Sequence, residues 1–319
     1  MGTSGGDLDF MHPGEGEDMA KKRKRRKGQK RTPAEIVGLI DRISLIVLIV
    51  SLIAVYCIIA IRMTGTVYPT EELLDGRAGI RFLDVGQGDC TLVTHAGYAV
   101  LIDAGPYAGS SATAEYLSRV APHIDAFFVT HPHDDHMGGA PAVLRSCGVE
   151  TLYMSAAVSH EYFYEETLRA AEEERTACVT LTEGSAWTFG DISVEVYDTF
   201  GFGYEDLNDA SLVLRVSVDG MTMTIAGDAE RGLEEYAADR GFDLRADILH
   251  VNHHGSSSST TEKWLNAVRP KVAVISCGRN NVYGHPASSV LNRLRDRFIR
   301  IYRTDQDGTV ILRGGKWEN

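Results

Sequence analysis

Phe128 to Ala140 reads FVTHPHDDHMGGA and sets three histidines and two aspartates within positions 131–136, directly after an apolar run. That run, Ile124–Thr130 (IDAFFVT), has the length and the apolar, aromatic content of a strand buried on both faces. Imidazole and carboxylate are good ligands for divalent metals. Two ions about 3.5–4 Å apart can together activate water and clamp the oxygens of a displacement. Without metal, so many polar groups taken out of water would each need a partner. In His131-x-His133-x-Asp135-His136, a tight loop lets His131 and His133 face one ion while Asp135 and His136 turn to a second.

Outward from the cluster, short β-rich runs alternate with helical ones. Upstream, GIRFLDV (79–85), CTLVTH (90–95) and YAVLIDAG (98–105) read as strands, and 110–122 as a helix that starts on serine. Downstream, the periodicity predicts helices at Gly139–Cys147, Glu161–Glu174, Ala229–Arg240, Thr260–Val268 and Ala287–Arg297. Strands are expected at Glu150–Met154, Cys178–Leu181, Ile192–Tyr197, Ser211–Val218, Met221–Ala226, Asp247–Val251, Val272–Ser276, Ile299–Arg303 and Thr309–Arg313. Two halves of this kind predict an α/β sandwich, with two mixed sheets face to face and helices outside.

The N-terminal part differs. Lys21–Arg31 (KKRKRRKGQKR) precedes Ile43–Ile61 (ISLIVLIVSLIAVYCIIAI), 19 residues without a charge, close to the ~20 that cross a ~30 Å hydrocarbon core. A buried helix is the plain alternative. A cleaved signal peptide fits less well, because the apolar run exceeds the usual length and no small-residue cleavage site follows. The positive-inside rule keeps the basic block in the cytoplasm. The expected organisation is a basic cytoplasmic tail (1–35), a transmembrane signal anchor (36–62), a stalk (63–77) and an extracellular globular domain (78–319), giving a single-pass protein of the cell membrane. Residues 63–319 carry 21 Lys and Arg against 37 Asp and Glu, a formal charge of −16. Such a surface repels long polyanions unless bound cations or a local basic groove compensate. The arginine-rich stretch Arg293–Arg303 could provide that groove, although the outer face of an amphipathic helix is its commoner meaning. None of the five cysteines shows CxxC spacing, and their apolar surroundings favour small buried hydrophobes over disulfides.

Six stretches together resemble the metallo-hydrolase domain of ComEC-type competence proteins, within the metallo-β-lactamase superfamily. They are FLDVGQGDC (82–90), THPHDDHMGG (130–139), NDASLVLRV (208–216), AGD (226–228), HVNHHGSSSST (250–260) and YGHP (283–286). The resemblance implies an αββα sandwich with a dinuclear site at its edge, holding two divalent ions, Zn2+ or Mn2+. His131 and His133 would hold the first metal, Asp135 and His136 the second, and Asp228 would bridge them. His253 or His254 fits the late histidine of the second metal, with His253 favoured. Asp103 matches an early aspartate that orients ligands. Its alternative is turn chemistry before Gly105. Asp89, in the early Gly-rich turn, would bond to the cluster loop.

Many superfamily members place another histidine on the first metal, and here only His160 lies in that interval, on an expected helix surface. Asn208 or Asp209, from the N-D-x-S motif that ends at Ser211, would supply an oxygen ligand there, and manganese then competes with zinc. Ser256, Ser257 and the amides around them offer a phosphate-binding environment ahead of a helix. His285 would donate a proton to the leaving oxygen or hold the phosphate.

The resemblance implies hydrolysis of phosphodiesters by metal-activated water oriented by Asp135, with DNA outside the cell as the family's substrate. No protein partner is inferable, and one anchor cannot form a DNA pore. A phosphorylcholine-esterase-like hydrolase of cell-envelope esters is the near alternative, and a non-catalytic metal-binding ectodomain the one from another class.

Overall fold

A computed structural model describes residues 77–197 and 199–318. The expected tail and anchor, and all of the stalk but Arg77, lie outside the described residues. Among the described residues no helix is long and apolar enough to cross a membrane.

The chain enters as β1 (Gly79–Phe82), β2 (Thr91–His95), β3 (Tyr98–Ile102), β4 (His123–Val129), β5 (Gly148–Ser155) and β6 (Ala177–Leu181). It then builds β7 (Ser185–Phe189), β8 (Ile192–Val196), β9 (Leu214–Val218), β10 (Met221–Ile225), β11 (Ile248–His250), β12 (Val272–Ile275) and β13 (Arg300–Arg303), and returns as β14 (Val310–Arg313) and β15 (Lys316–Trp317). Two mixed sheets result, ordered β15-β14-β1-β2-β3-β4-β5-β6 and β13-β12-β11-β10-β9-β8-β7.

Burial along β4 explains the layering. Ala126 and Phe128 point into a core shared by both sheets, where they meet Val194, Leu214, Met223 and Val274. Phe127 and Val129 point the other way, under α1 (Ser110–Val120), α3 (Ala140–Ser146) and α4 (Tyr162–Glu174). With a period of two, a strand covered on both faces must read as a continuous apolar run. The second sheet is covered likewise by α5 (Arg231–Asp239), α6 (Glu262–Val268) and α7 (Ser288–Asp296). The layers are therefore helix, sheet, sheet, helix.

Three local expectations change. The cluster is not a plain loop, because Asp134–Met137 form one helical turn, α2. The strand expected from Ser211 begins at Leu214, since the Leu212 amide donates to the Thr130 carbonyl (2.9 Å) and so ties this segment to the end of β4. β7 was not anticipated; it is an edge strand with no fully buried residue, and Trp187 packs edge-on against Phe128 (5.5 Å between ring centroids). Cys90, Cys147 and Cys277 are free and buried, whereas Cys178 is exposed.

The parallel strands position the chemistry. β3, β4 and β5 run parallel in one sheet, and β10, β11 and β12 in the other. Asp103, the His cluster, Asp228, the late histidines and Ser276 all follow the carboxyl ends of such strands, the edge at which open α/β sheets place their ligands.

Candidate metal centre

Asp228 lies at the middle of this edge, buried to 2% exposure. Its two oxygens face different groups. Oδ2 is 4.0 Å from His131 Nε2, while Oδ1 is 3.0 Å from His136 Nε2 and 3.5 Å from His254 Nε2. His133 Nδ1 joins the first group, 3.0 Å from His131 Nε2. Asp135 joins the second, with Oδ2 3.1 Å from His254 Nε2 and Oδ1 4.0 Å from His136 Nε2. The structure thus assembles two donor sets, His131–His133–Asp228 and Asp135–His136–Asp228–His254, each compact enough for one ion.

Around them, further side chains fix ring orientation. Asp103 Oδ2 accepts from His136 Nδ1 at 2.8 Å, and the Asp103 carboxylate also accepts from the Thr130 amide and hydroxyl at 2.7 and 2.8 Å. His136 Nε2 is thereby aimed at Asp228. Ser211 Oγ sits 3.2 Å from His131 Nδ1 and accepts the Asp228 amide at 3.1 Å. The Asp89 backbone joins the cluster through its amide, which donates to the Asp135 carbonyl at 2.9 Å. Its carboxylate approaches His254 Nδ1 (3.2 Å) and His250 Nδ1 (3.4 Å). Two glycines permit this crowding. A Cβ on Gly139 would lie 2.2 Å from the Ala104 carbonyl oxygen, and one on Gly88 2.4 Å from that of Asp135.

Charge in the cluster is strongly perturbed. Burial alone would lower the pKa of His136, yet Asp228 and Asp103 outweigh it and hold the imidazolium well above the usual histidine range. His254 is raised in the same way against its burial by Asp228, Asp89 and Asp135. His131, by contrast, is pushed well down by burial and by His136. Despite the short approach of His136 Nε2 and Asp228 Oδ1, neither atom has an aligned hydrogen bond, and the Asp89 oxygens share that condition. Buried polar atoms normally find partners. Ligand atoms of the right chemistry, turned toward one another without hydrogen bonds, fit divalent metal.

The expected residues fall into three groups. His131, His133, Asp135, His136 and Asp228 come together, with Asp103 behind His136. His254, not His253, joins Asp135 and His136. Both residues adopt left-handed backbone (φ 50° and 54°), which splays the two rings apart. His254 turns inward, its Nδ1 held at 3.0 Å by the Ser276 carbonyl. His253 is turned the other way, with Nδ1 3.3 Å from Glu230 and Nε2 3.7 Å from Asp228 Oδ2.

Asp209 does not reach the cluster. Its carboxylate accepts the backbone amides of Glu230 (2.8 Å) and Leu233 at the start of α5. Asn208 is buried in the adjoining single turn, its amide donating to Asp206. His160 is exposed.

Two of the amides ahead of α6 are already taken by an internal anion. Those of Thr260 and Thr261 donate to the buried Glu234 carboxylate, which also accepts from Asn252 Nδ2 (2.8 Å). Ser256 Oγ pairs with Ser258 Oγ at 2.8 Å, and Ser257 is exposed. His285 stands over the late histidines, 5.5 Å from the His253 ring and 6.2 Å from that of His254, stacked by Tyr283. Asn281 accepts its amide (2.9 Å) and donates to its carbonyl (2.6 Å). Burial and the neighbouring His254 and His253 push its pKa down to about 4.

Thr130, Glu234 and His250 had not been singled out. The only sign of the first was its place at the end of the strand, and nothing in the local pattern marks Glu234 among the other acids of α5.

A family model for the metallo-beta-lactamase superfamily matches residues 83–279. Over 266 residues the chain is 32% identical to ComE operon protein 3 of Bacillus subtilis (strain 168), covering 77% of this chain and 34% of that protein. It is 30% identical to competence protein ComA of Neisseria gonorrhoeae, covering 78% and 34%. The chain spans about a third of the length of these curated relatives. Among solved structures, the diiron β-hydroxylase CmlA of Streptomyces venezuelae superposes with a TM-score of 0.50 at 12% identity, covering 74% of this chain and 54% of that one, a likeness of fold alone. With more than half of its length matched by that model, the chain belongs to the metallo-β-lactamase superfamily.

Proposed function

We propose that the protein is a dinuclear metal-dependent phosphodiesterase that cleaves DNA, anchored in the cell membrane by residues 36–62 with its hydrolase domain outside. The observation that carries the dinuclear reading is the division of Asp228, whose two oxygens face separate donor sets. The names of the competence relatives support a nucleic-acid substrate. Two divalent ions, Zn2+ or Mn2+, bound by His131, His133 and Asp228 and by Asp135, His136, Asp228 and His254, would activate water and offset the charge of the phosphate.

The chain's own residues do the rest. Asp103 and Ser211 hold His136 and His131 in the orientation that presents their inner nitrogens. Asp135, part-buried at the mouth of the cluster, orients the attacking water. His285 is uncharged at neutral pH because of its lowered pKa, and it donates a hydrogen bond to a phosphate oxygen from its place above the late histidines.

The test is hydrolysis by the full chain, loaded separately with manganese and zinc, of single-stranded DNA, bis-p-nitrophenyl phosphate and p-nitrophenylphosphorylcholine. Cleavage of DNA is expected, with Asp135→Asn lowering turnover at least 1,000-fold and leaving thermal unfolding within a few degrees of the parent. Turnover of the choline ester alone would move the substrate to the cell envelope. Unchanged turnover in Asp135→Asn would remove the role given to this carboxylate.

A further inference from the structure

Beside the first donor set lies a cavity of about 250 Å³ that the mechanism above does not use. Ser211 belongs to both, since it lines the cavity and its Oγ is 3.2 Å from His131 Nδ1. The lining combines three aromatic residues, Phe200, Phe202 and Tyr204, with the hydroxyl residues Ser155, Thr182 and Thr199. Phe202 is braced by the Tyr236 ring at 5.2 Å, and Phe200 packs against the core between the sheets. Two aromatic walls are therefore fixed, while Tyr204 is 44% exposed at the mouth.

The lining decides the occupant. Among the described residues no Lys or Arg lines the cavity, so nothing there recognises a phosphate. The one carboxylate, Asp209, is committed to the first amides of α5, which leaves no free anion aimed at a cation. Aromatic side chains and hydroxyls in one lining suit an uncharged ring with polar edges. The volume is below the ~300–1,000 Å³ that takes a drug-sized ligand, which restricts the occupant to a single ring system. The formal charge of −16 over residues 63–319 also means that a nucleic acid must be held by something other than net attraction. Base–aromatic stacking supplies affinity that is independent of charge and tolerant of sequence.

We propose that this cavity is a nucleobase subsite, taking the base next to the phosphate presented at the His131 side of the metal centre. The proposal rests on the phosphodiesterase reading for its register but not for its ligand, so the two can fail separately. The full chain with manganese is assayed on thymidine 5′-(p-nitrophenyl phosphate), methyl p-nitrophenyl phosphate and p-nitrophenylphosphorylcholine, as parent, Tyr204→Ala and Ala156→Trp. Ala156 is an exposed residue of the lining, and its replacement by Trp fills the space without touching the core.

The preference for the thymidine ester, as a ratio of kcat/KM values, is expected to fall about tenfold in either variant. Thymidine itself, titrated calorimetrically into the metal-free chain, is expected to bind the parent saturably and the Trp variant not at all. Saturable binding without hydrolysis of either ester would uphold the subsite and sink the phosphodiesterase reading. Hydrolysis of both esters with an unchanged ratio and no thymidine binding would do the reverse. A drop confined to p-nitrophenylphosphorylcholine would reassign the cavity to a quaternary ammonium and overturn the proposal.

Discussion

His253 and His254 are adjacent, chemically identical and both left-handed, yet their surroundings differ completely. His254 is 1% exposed at its side chain and lies among Asp89, Asp135 and Asp228, whereas His253 is 19% exposed and faces Glu230. Left-handed backbone at two successive non-glycine residues is a strained arrangement of the kind that persists when surrounding contacts over-determine it, often at functional sites. Here the Ser276 carbonyl, the Gly227 carbonyl (accepting the His253 amide at 3.0 Å) and Asp89 provide those contacts. His254→Ala is expected to reduce bound manganese or zinc from about two ions per chain to about one, measured by metal analysis after dialysis. His253→Ala should retain both, and loss of an ion there instead would return the ligand to His253.

The segment from Asn252 to Thr261 behaves as one element, held by α5 and α7 as well as by its own hydrogen bonds, such as that from Ser259 Oγ to the Asn252 carbonyl (2.8 Å). Glu234 of α5 accepts from Asn252 and from the amides of Thr260 and Thr261, and Arg293 of α7 donates to the carbonyls of Ser259 (2.7 Å) and Thr260 (2.9 Å). At its Thr260–Thr261 end, a stretch that reads as an open phosphate cradle is thus closed by an internal anion. Glu234→Ala would leave buried donors unpaired at about 1–3 kcal/mol each. The expected loss is about 3 kcal/mol, roughly 6–12 °C in Tm for a domain of this size, and metal affinity should fall with it because His254 sits on this segment. A Tm within 2 °C of the parent would show that the hydrogen bonds to Glu234 contribute little. Among the elements, β4 was legible because burial on both faces leaves a continuous apolar signature. β7 was not, because an edge strand half open to solvent carries little apolar periodicity.

At the scale of the molecule, acidity sets how a polyanion can be bound. Of the five arginines of 293–303, Arg295 is exposed and the other four are held by contacts within the domain. Besides Arg293, Arg297 donates to Asn266 and pairs with Glu262, Arg303 pairs with Asp305, and Arg300 lies over the Tyr302 ring. Few phosphates can then be neutralised by side chains, and counterion release is correspondingly small. For single-stranded DNA we expect log KM to rise with log salt with a slope of about 1–2, against about 7 for ten phosphate contacts. A steep slope, measured between 50 and 200 mM salt, would reveal a basic surface beyond the arginines of 293–303.

The sequence by itself determined the layered α/β architecture and the crowded turn, because both are written locally: strand and helix periods along the chain, and ligand-type side chains within six residues. Asp228, at the end of MTMTIAGD, was marked only through the family resemblance. Tertiary structure alone decided which oxygen of Asp228 faces which histidine, which of two neighbouring histidines turns inward, and that Asp209 caps a helix. It alone brought Ser211 and Asp89 into contact with the imidazoles. These are contacts across tens of residues, closed where the carboxyl ends of two separate sheets meet, and side-chain direction there depends on partners that no local pattern of residues encodes.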